Sequence, residues 1–90
     1  MKGLRPDLFA GIVPFVRVAE EKSFARAAAS MGLTTAAVSK AVRKLEDDMG
    51  ARLFDRTSRV VALTREGEEI FSRCQEAVLA VRGARAAIEG

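Results

Sequence analysis

The 90-residue sequence contains no histidine and a single cysteine, Cys74, so several kinds of chemistry lack the residues they need. Without histidine there is no Ser–His–Asp triad, no Cys–His nucleophile and no histidine-based zinc site. A lone cysteine forms neither an internal disulfide nor a thiolate metal site, and this usage is typical of a reducing compartment. We therefore expect no metal site, no cofactor and no enzymatic activity.

Long apolar runs are also missing. No stretch approaches the roughly 18 consecutive apolar residues of a membrane-spanning helix. The basic start of the chain is followed by an apolar stretch that Asp7, Gly11 and Pro14 interrupt, which is unlike a signal peptide. The sequence therefore predicts a cytoplasmic protein that does not bind a membrane.

The apolar residues that are present are mostly small. They make up 49% of a chain whose length corresponds to one small domain, and 16 of them are alanine. Alanine suits close contacts between helices better than a deep core, and a domain of this size has a thin margin of stability. A partner subunit would relieve this shortage of core.

Positive charge is concentrated in the middle of the chain, although the net charge is only +3. Between residues 52 and 65 four arginines accompany one acid, Asp55. This distribution is compatible with binding of a polyanion and equally with a solvated charged surface. The charged residues of this stretch are Arg52, Asp55, Arg56, Arg59 and Arg65.

Hydrophobic spacing predicts helices near the start of the chain. The first covers about Leu8–Glu20, and because Pro14 disfavours a helix interior we expect it to start late, near Gly11, or to kink. The second covers Phe24–Met31, with Ser23 as its N-cap and Gly32 at its end.

A third helix is predicted from Thr34, its N-cap, to about Met49, where Gly50 ends it. A short helix, a turn and a second capped helix form the outline of a helix-turn-helix, in which the second helix reads DNA.

The apolar side of the third helix contains Val38, Ala41, Val42, Leu45 and Met49. Its outward face contains Ala36, Ser39, Lys40 and Arg43, with Thr35 at the edge. Small and basic residues there favour contact with DNA, but an ordinary amphipathic surface helix fits the pattern equally well.

The next stretch changes character to β-forming residues. We expect two short strands, about Leu53–Arg56 and Val60–Leu63, joined at a basic tip that contains Arg59. Such a hairpin is a wing whose arginine can enter a minor groove. A solvated hairpin tip without a ligand is the alternative.

A long helix follows Thr64, its predicted N-cap. Apolar residues recur along it at spacings of three and four, and a second stripe runs beside them. Because one small domain cannot cover so long a stripe, we expect this helix to pair with a second copy of the chain. The alternative is that it packs only on its own domain. The predicted dimer-interface residues are Ile70, Phe71, Cys74, Ala77, Val78, Val81, Ala84 and Ile88.

The sequence resembles the N-terminal winged helix-turn-helix of LysR-type transcriptional regulators, in register over more than fifty residues. The matching pieces are Phe15 to Glu20, Ser23–Phe24, Ala27–Ala28, Ala37–Val38–Ser39, Leu45–Glu46, Gly50, Leu53–Phe54, Arg56–Thr57, Leu63–Thr64 and Glu66–Gly67.

The resemblance implies a mainly α fold: a winged helix-turn-helix with a two-stranded β-wing over residues 1–63, and a linker helix for dimerisation over 64–90. It implies a bacterial transcription factor that binds a dyad-symmetric, pseudo-palindromic operator as a homodimer. Family members carry a further effector-binding domain of about two hundred residues, which we expect to be absent here together with its small-molecule ligand.

The resemblance also assigns roles to residues. Thr35, Ala36, Ser39 and Lys40 are expected to contact bases, and Arg59 to enter the minor groove. Phosphate contacts are expected from Ser23, Arg26, Thr34, Arg43, Arg56 and Ser58. Many relatives have Gln-Pro where this chain has Thr35-Ala36, so the base preference should differ.

A dimeric protein-interaction adaptor built on the same scaffold is the alternative function. It predicts large apolar or aromatic anchors on the outward face of the third helix, where none occurs in the sequence.

Overall fold

The computed structural model describes residues 6–57 and 59–90, with side chains from Ala10 onward. These residues contain four helices: α1 (Pro6–Glu21), α2 (Phe24–Met31), α3 (Thr35–Met49) and α4 (Arg65–Glu89). Helix α1 packs against each of the other three helices. The fold is therefore mainly helical, with α1 at its centre.

The predicted late start of α1 near Gly11 is wrong, because the helix already includes Pro6 and runs past Pro14. Gly11 has a different role, which is to let α1 approach α3. A Cβ atom at Gly11 would lie 2.9 Å from Leu45 Cβ and 3.0 Å from the carbonyl oxygen of Ala41. The glycine therefore reflects a close helix–helix contact and not a helix boundary.

The predicted bounds of α2 and the caps around it are confirmed. The Ser23 hydroxyl accepts a hydrogen bond from the Arg26 N–H at 3.0 Å, and Gly32 ends the helix with a φ of +67°. Two residues further on, the Thr34 hydroxyl accepts from the Ala37 N–H at 3.0 Å and starts α3. Caps on both sides of a short turn therefore fix the angle between α2 and α3.

The core lies where the helices meet the stretch after α3. Its largest fully buried side chains are Phe15, Val18, Val38, Val42, Leu45 and Leu53. Aromatic rings form a continuous series through it: Phe24 contacts Phe54, Phe54 contacts Phe15, and Phe15 contacts Phe71, with centroid distances of 5.5, 5.4 and 6.4 Å. This series connects the start of α2 with α4.

Residues 51–64, which we call the hairpin, contain no strand within the described residues, so the two predicted strands are not seen. One antiparallel bridge joins Phe54 and Leu63, and backbone hydrogen bonds run from Asp55 N–H to Ala62 and from Thr64 N–H to Leu53. Side chains account for the short ladder. Glu46 accepts the N–H groups of Leu53 and Phe54, and Asp55 turns the chain back by accepting from Thr57.

Helix α4 is divided between two environments. Ile70, Phe71, Cys74 and Val78 pack on the core described above, whereas every residue from 79 to 90 is exposed. The first half of the helix thus belongs to the domain, and the second half extends beyond it. No helix among the described residues has the length and apolar character required to cross a membrane.

Candidate nucleic-acid interface

The outward face of α3 is polar and accessible in its first half. Thr35, Ala36 and Lys40 are exposed and Ser39 is half-buried. On the opposite side of the helix, Val38 and Val42 are fully buried. Because the core holds one side of α3, the four predicted base-contacting residues share the accessible side and can approach a ligand together.

Two cations on this face and one at the hairpin tip carry charges that no salt bridge neutralises within the described residues. Lys40, Arg43 and Arg59 are exposed, and within the described ranges 6–57 and 59–90 none of them forms a salt bridge. Lys40 and Arg43 lie one turn apart on the outward face of α3, and Arg59 lies at the hairpin tip. Exposed cations of this kind favour an anionic ligand.

The predicted phosphate contacts at the start of α2 have partners within the protein. Arg26 donates from Nη2 to the Glu21 carbonyl oxygen at 2.7 Å, and its Nε lies 3.9 Å from Glu21 Oε1. The Ser23 and Thr34 hydroxyl oxygens accept the capping hydrogen bonds, which leaves their protons available to donate. Arg26 remains largely exposed. All three can therefore still face a ligand.

Arg56 differs from the other predicted phosphate contacts because a buried carboxylate binds it. Its Nη2 donates to Glu46 Oε1 at 2.6 Å, and its guanidinium carbon lies 5.9 Å from the centroid of the Phe24 ring. About a third of the side chain, 36%, stays exposed. The last predicted phosphate contact, Ser58, lies outside the described residues.

Glu46 is the site residue that our sequence reasoning missed. Among the described residues it is the one charged side chain that is buried, with 5% of the residue exposed. Its Oε2 accepts the Leu53 N–H at 2.8 Å and the Phe54 N–H at 3.3 Å, while Oε1 accepts from Arg56. Two signals were available: its position four residues after Val42, next to the buried stripe of α3, and its place in the matching piece Leu45–Glu46.

The environment of Glu46 favours its ionised form. Burial alone raises the pKa of a carboxyl group, but here the hydrogen bond from the Leu53 N–H, those from Arg56 and the Phe54 N–H, and the positive charge of Arg56 outweigh it. The pKa of Glu46 is therefore lower than usual. The carboxylate is charged at neutral pH and binds firmly to the start of the hairpin.

The predicted dimer residues fall into two groups. Ile70, Phe71, Cys74 and Val78 are used by the domain itself, and burial raises the pKa of the Cys74 thiol. The others, Ala77, Val81, Ala84 and Ile88, are exposed, with Ile88 at 86%. The surface available to a second copy thus lies towards the end of α4.

No group of three or more cysteine or acidic residues able to hold a metal ion lies in the described part of the chain. The candidate site consists instead of a helix face and a hairpin tip, both rich in donors. Two capped helices joined by a short turn, with the second helix presenting that face, define a helix-turn-helix protein.

Residues 11–68 match the model of the family described as "Bacterial regulatory helix-turn-helix protein, lysR family". The chain belongs to this family, which confirms the resemblance stated above. It is 49% identical over 61 residues to the HTH-type transcriptional regulator YfeR of Shigella flexneri, which is described as uncharacterized, covering 68% of this chain and 20% of that protein.

Solved structures agree with this assignment. A BenM_DBD/catB site 1 DNA complex superimposes with a TM-score of 0.83 at 28% identity, covering 91% of this chain and 90% of that one. Vibrio fischeri DarR, solved in complex with DNA, gives 0.80 at 30% identity and covers 89% of this chain and 27% of that one. The chain thus spans about a quarter of DarR and nearly all of the BenM domain.

Proposed function

We propose that this chain is the DNA-binding part of a LysR-type bacterial transcriptional regulator, acting in the cytoplasm as a homodimer on a dyad-symmetric operator. The observation that carries the proposal is the accessible face of α3, which combines small side chains with the charges of Lys40 and Arg43, for which the described part of the chain provides no salt bridge. Family membership and the DNA complexes of BenM and DarR support it. The role is one of binding and regulation, without catalysis.

In this proposal α3 enters the major groove. The first turns of α3 contain small side chains, Thr35, Ala36 and Ser39, which allow the helix backbone to come close to base edges. Lys40 and Arg43 follow on the same side and can reach bases or phosphates. An adaptor would need large apolar anchors on this face, and the exposed residues described there include none.

The hairpin would serve as the wing of a winged helix-turn-helix, the form that the resemblance predicts. Arg59 is exposed at its tip and is free of internal ion pairs among the residues that are described. A narrow minor groove attracts arginine because its walls concentrate negative potential. We therefore assign Arg59 to the minor groove beside the half-site that α3 reads.

Dimerisation would use the exposed second half of α4. Val81 and Ile88 are 69% and 86% exposed, and they continue the stripe that Ile70 and Cys74 begin on the core. Because apolar side chains at this spacing pair well with an equivalent helix, a second copy is the partner that we infer. Two copies would then present two copies of α3 to two half-sites about one helical turn apart.

The decisive experiment is a selection of binding sites from random duplex DNA, followed by affinity measurements at several salt concentrations. We expect the selected sites to contain two inverted half-sites. If Lys40 and Arg43 of each copy neutralise one phosphate apiece, the slope of log K against log salt should be about −4. Failure of the folded chain to bind any duplex in dilute buffer would refute the proposal.

The assignment of Arg59 is tested with duplexes that share the selected half-sites but differ in their flanks. Arg59→Ala should weaken binding to A·T-rich flanks most, by roughly tenfold. Arg73→Ala is the control, because it removes one positive charge from an exposed pair with Glu69 in the first half of α4, away from the proposed dimer surface. An equal loss on every flank would show that Arg59 does not read the minor groove.

A further inference from the structure

Glu46 connects the two parts of the proposed interface. It lies on α3, seven residues after Ser39, and binds the first arm of the hairpin, whose tip carries Arg59. The covalent link between the two elements, residues 50–52, contains neither helix nor strand. The direction of the hairpin therefore depends on noncovalent contacts with the helices.

The contacts of Glu46 are suited to fixing that direction. Its two carboxylate oxygens accept from three residues along the arm: Leu53 at 2.8 Å, Phe54 at 3.3 Å and Arg56 at 2.6 Å. One contact would let the arm turn about a single point, whereas contacts at three positions hold its path. The Leu53 side chain is fully buried and prevents the arm from sliding.

Arg56 extends the same connection to α2. Its guanidinium group bonds to Glu46 and lies over the ring of Phe24, at the start of α2. Because its charge is already paired with a buried carboxylate, Arg56 is less available to a phosphate than Arg59, which has no salt bridge to any residue that the structure describes. The arginine thus holds the hairpin against both helices of the helix-turn-helix.

We propose that Glu46 is a positioning residue for DNA binding, which acts through Arg56 and the backbone at Leu53 and Phe54 to set where Arg59 lies relative to the reading face of α3. The inference rests on the proposed function, since it requires both parts to engage one duplex. A minor groove is only about 6 Å wide, so a shift of a few ångströms removes Arg59 from it.

The test compares the 90-residue chain with its Glu46→Gln variant on the selected half-sites, with A·T-rich or G·C-rich flanks. Glutamine keeps the shape of the side chain but replaces one acceptor by a donor that faces Arg56. We expect the variant to keep its preference for the half-site bases and to lose most of its flank preference, a change of roughly five- to tenfold. Glu69→Gln, which alters the exposed pair with Arg73 on α4, should leave the flank preference unchanged.

Arg56→Gln keeps the carboxylate and its two backbone donors, so it remains informative even if Glu46→Gln does not fold. If Arg56 positions the wing, this variant loses flank preference while the salt slope stays the same. If Arg56 is a direct phosphate contact, the slope becomes shallower and the flank preference stays intact, which overturns the proposal.

Other outcomes separate the two proposals. A wild-type chain that binds selected sites without any flank preference would refute the role of Arg59 and, with it, that of Glu46. A wild-type preference that survives in folded Glu46→Gln would refute this inference alone. An equal loss of affinity on both flanks, in proportion to the folded fraction, would reduce Glu46 to a purely structural residue.

Discussion

Gly67 lies where α4 begins and where the hairpin returns to the domain, and it has no room for a side chain. A Cβ atom at this position would lie 2.0 Å from the carbonyl oxygen of Leu53 and 3.1 Å from Leu63 Cδ2. The Leu53 carbonyl cannot easily retreat, because it accepts the Thr64 N–H at 3.0 Å and its own residue is bound by Glu46. Gly67→Ala therefore forces α4 and the hairpin apart.

The size of the effect follows from this geometry. A carbon atom and a carbonyl oxygen approach to about 3.3 Å at closest, so the two elements must separate by about 1.3 Å. Overpacking of this kind costs about 1–3 kcal/mol, and loss of the Thr64–Leu53 hydrogen bond costs about 1 kcal/mol more. The higher helix propensity of alanine offsets at most about 1 kcal/mol of this destabilisation. We expect Gly67→Ala to lower the free energy of unfolding by about 1–3 kcal/mol.

The same helix offers a matched control. Gly83 is exposed, and a Cβ atom there would have no neighbour within 4 Å, so Gly83→Ala should stabilise the protein by about 1 kcal/mol. Urea unfolding followed by circular dichroism at a single protein concentration measures both variants. If the two substitutions change the free energy of unfolding alike, the close contact at Gly67 does not control stability and the reasoning is wrong.

Two further predictions concern stability. Lys22, between α1 and α2, has a φ of +54°, in the left-handed region that favours glycine. Lys22→Gly should therefore raise the free energy of unfolding by about 0.5 kcal/mol, whereas Lys22→Ala should not. Equal effects of the two substitutions in thermal unfolding would contradict this. The pKa of Glu46 is lowered in the folded state, so its ionised carboxylate adds to the free energy of unfolding. This contribution is complete above the usual glutamate pKa of about 4.3 and is lost as the pH falls below that value. The pKa of Asp55 is also lowered, by its hydrogen bonds with Thr57, and acts in the same direction. The free energy of unfolding of Glu46→Gln should therefore fall less than that of the wild type between about pH 5 and pH 3. Urea titrations at several pH values measure this, and parallel curves for the two proteins would show that Glu46 does not cause the pH dependence.

Features that depend on neighbouring residues could be predicted from the sequence. Ser23, Gly32 and Thr34 define α2 and the start of α3 because capping involves residues within one turn of each other. The outward position of Thr35 and Lys40 follows in the same way from helical periodicity alone.

Features that depend on distant residues could not be predicted. Glu46 resembles any other acid near a helix end until the hairpin folds back and brings Arg56 to it. Periodicity likewise cannot distinguish Cys74, which faces the core, from Val81, which continues the same stripe into solvent. The β-forming residues after Arg59 predicted strands, but hydrogen bonds that the carboxylates of Glu46 and Asp55 accept from the backbone take the place of a longer ladder.

The free half of α4 has a geometric consequence for the dimer that we propose. Residues 79–89 of this helix extend for about 16 Å at 1.5 Å per residue. The length of this helix would set the distance between the two DNA-binding domains, and its helical phase would set their relative orientation. Inserting four residues there would widen the gap by about 6 Å and nearly restore the phase, whereas inserting two would rotate one domain by about 200°. The spacing of half-sites that the protein accepts would then be determined far from any residue that touches a base.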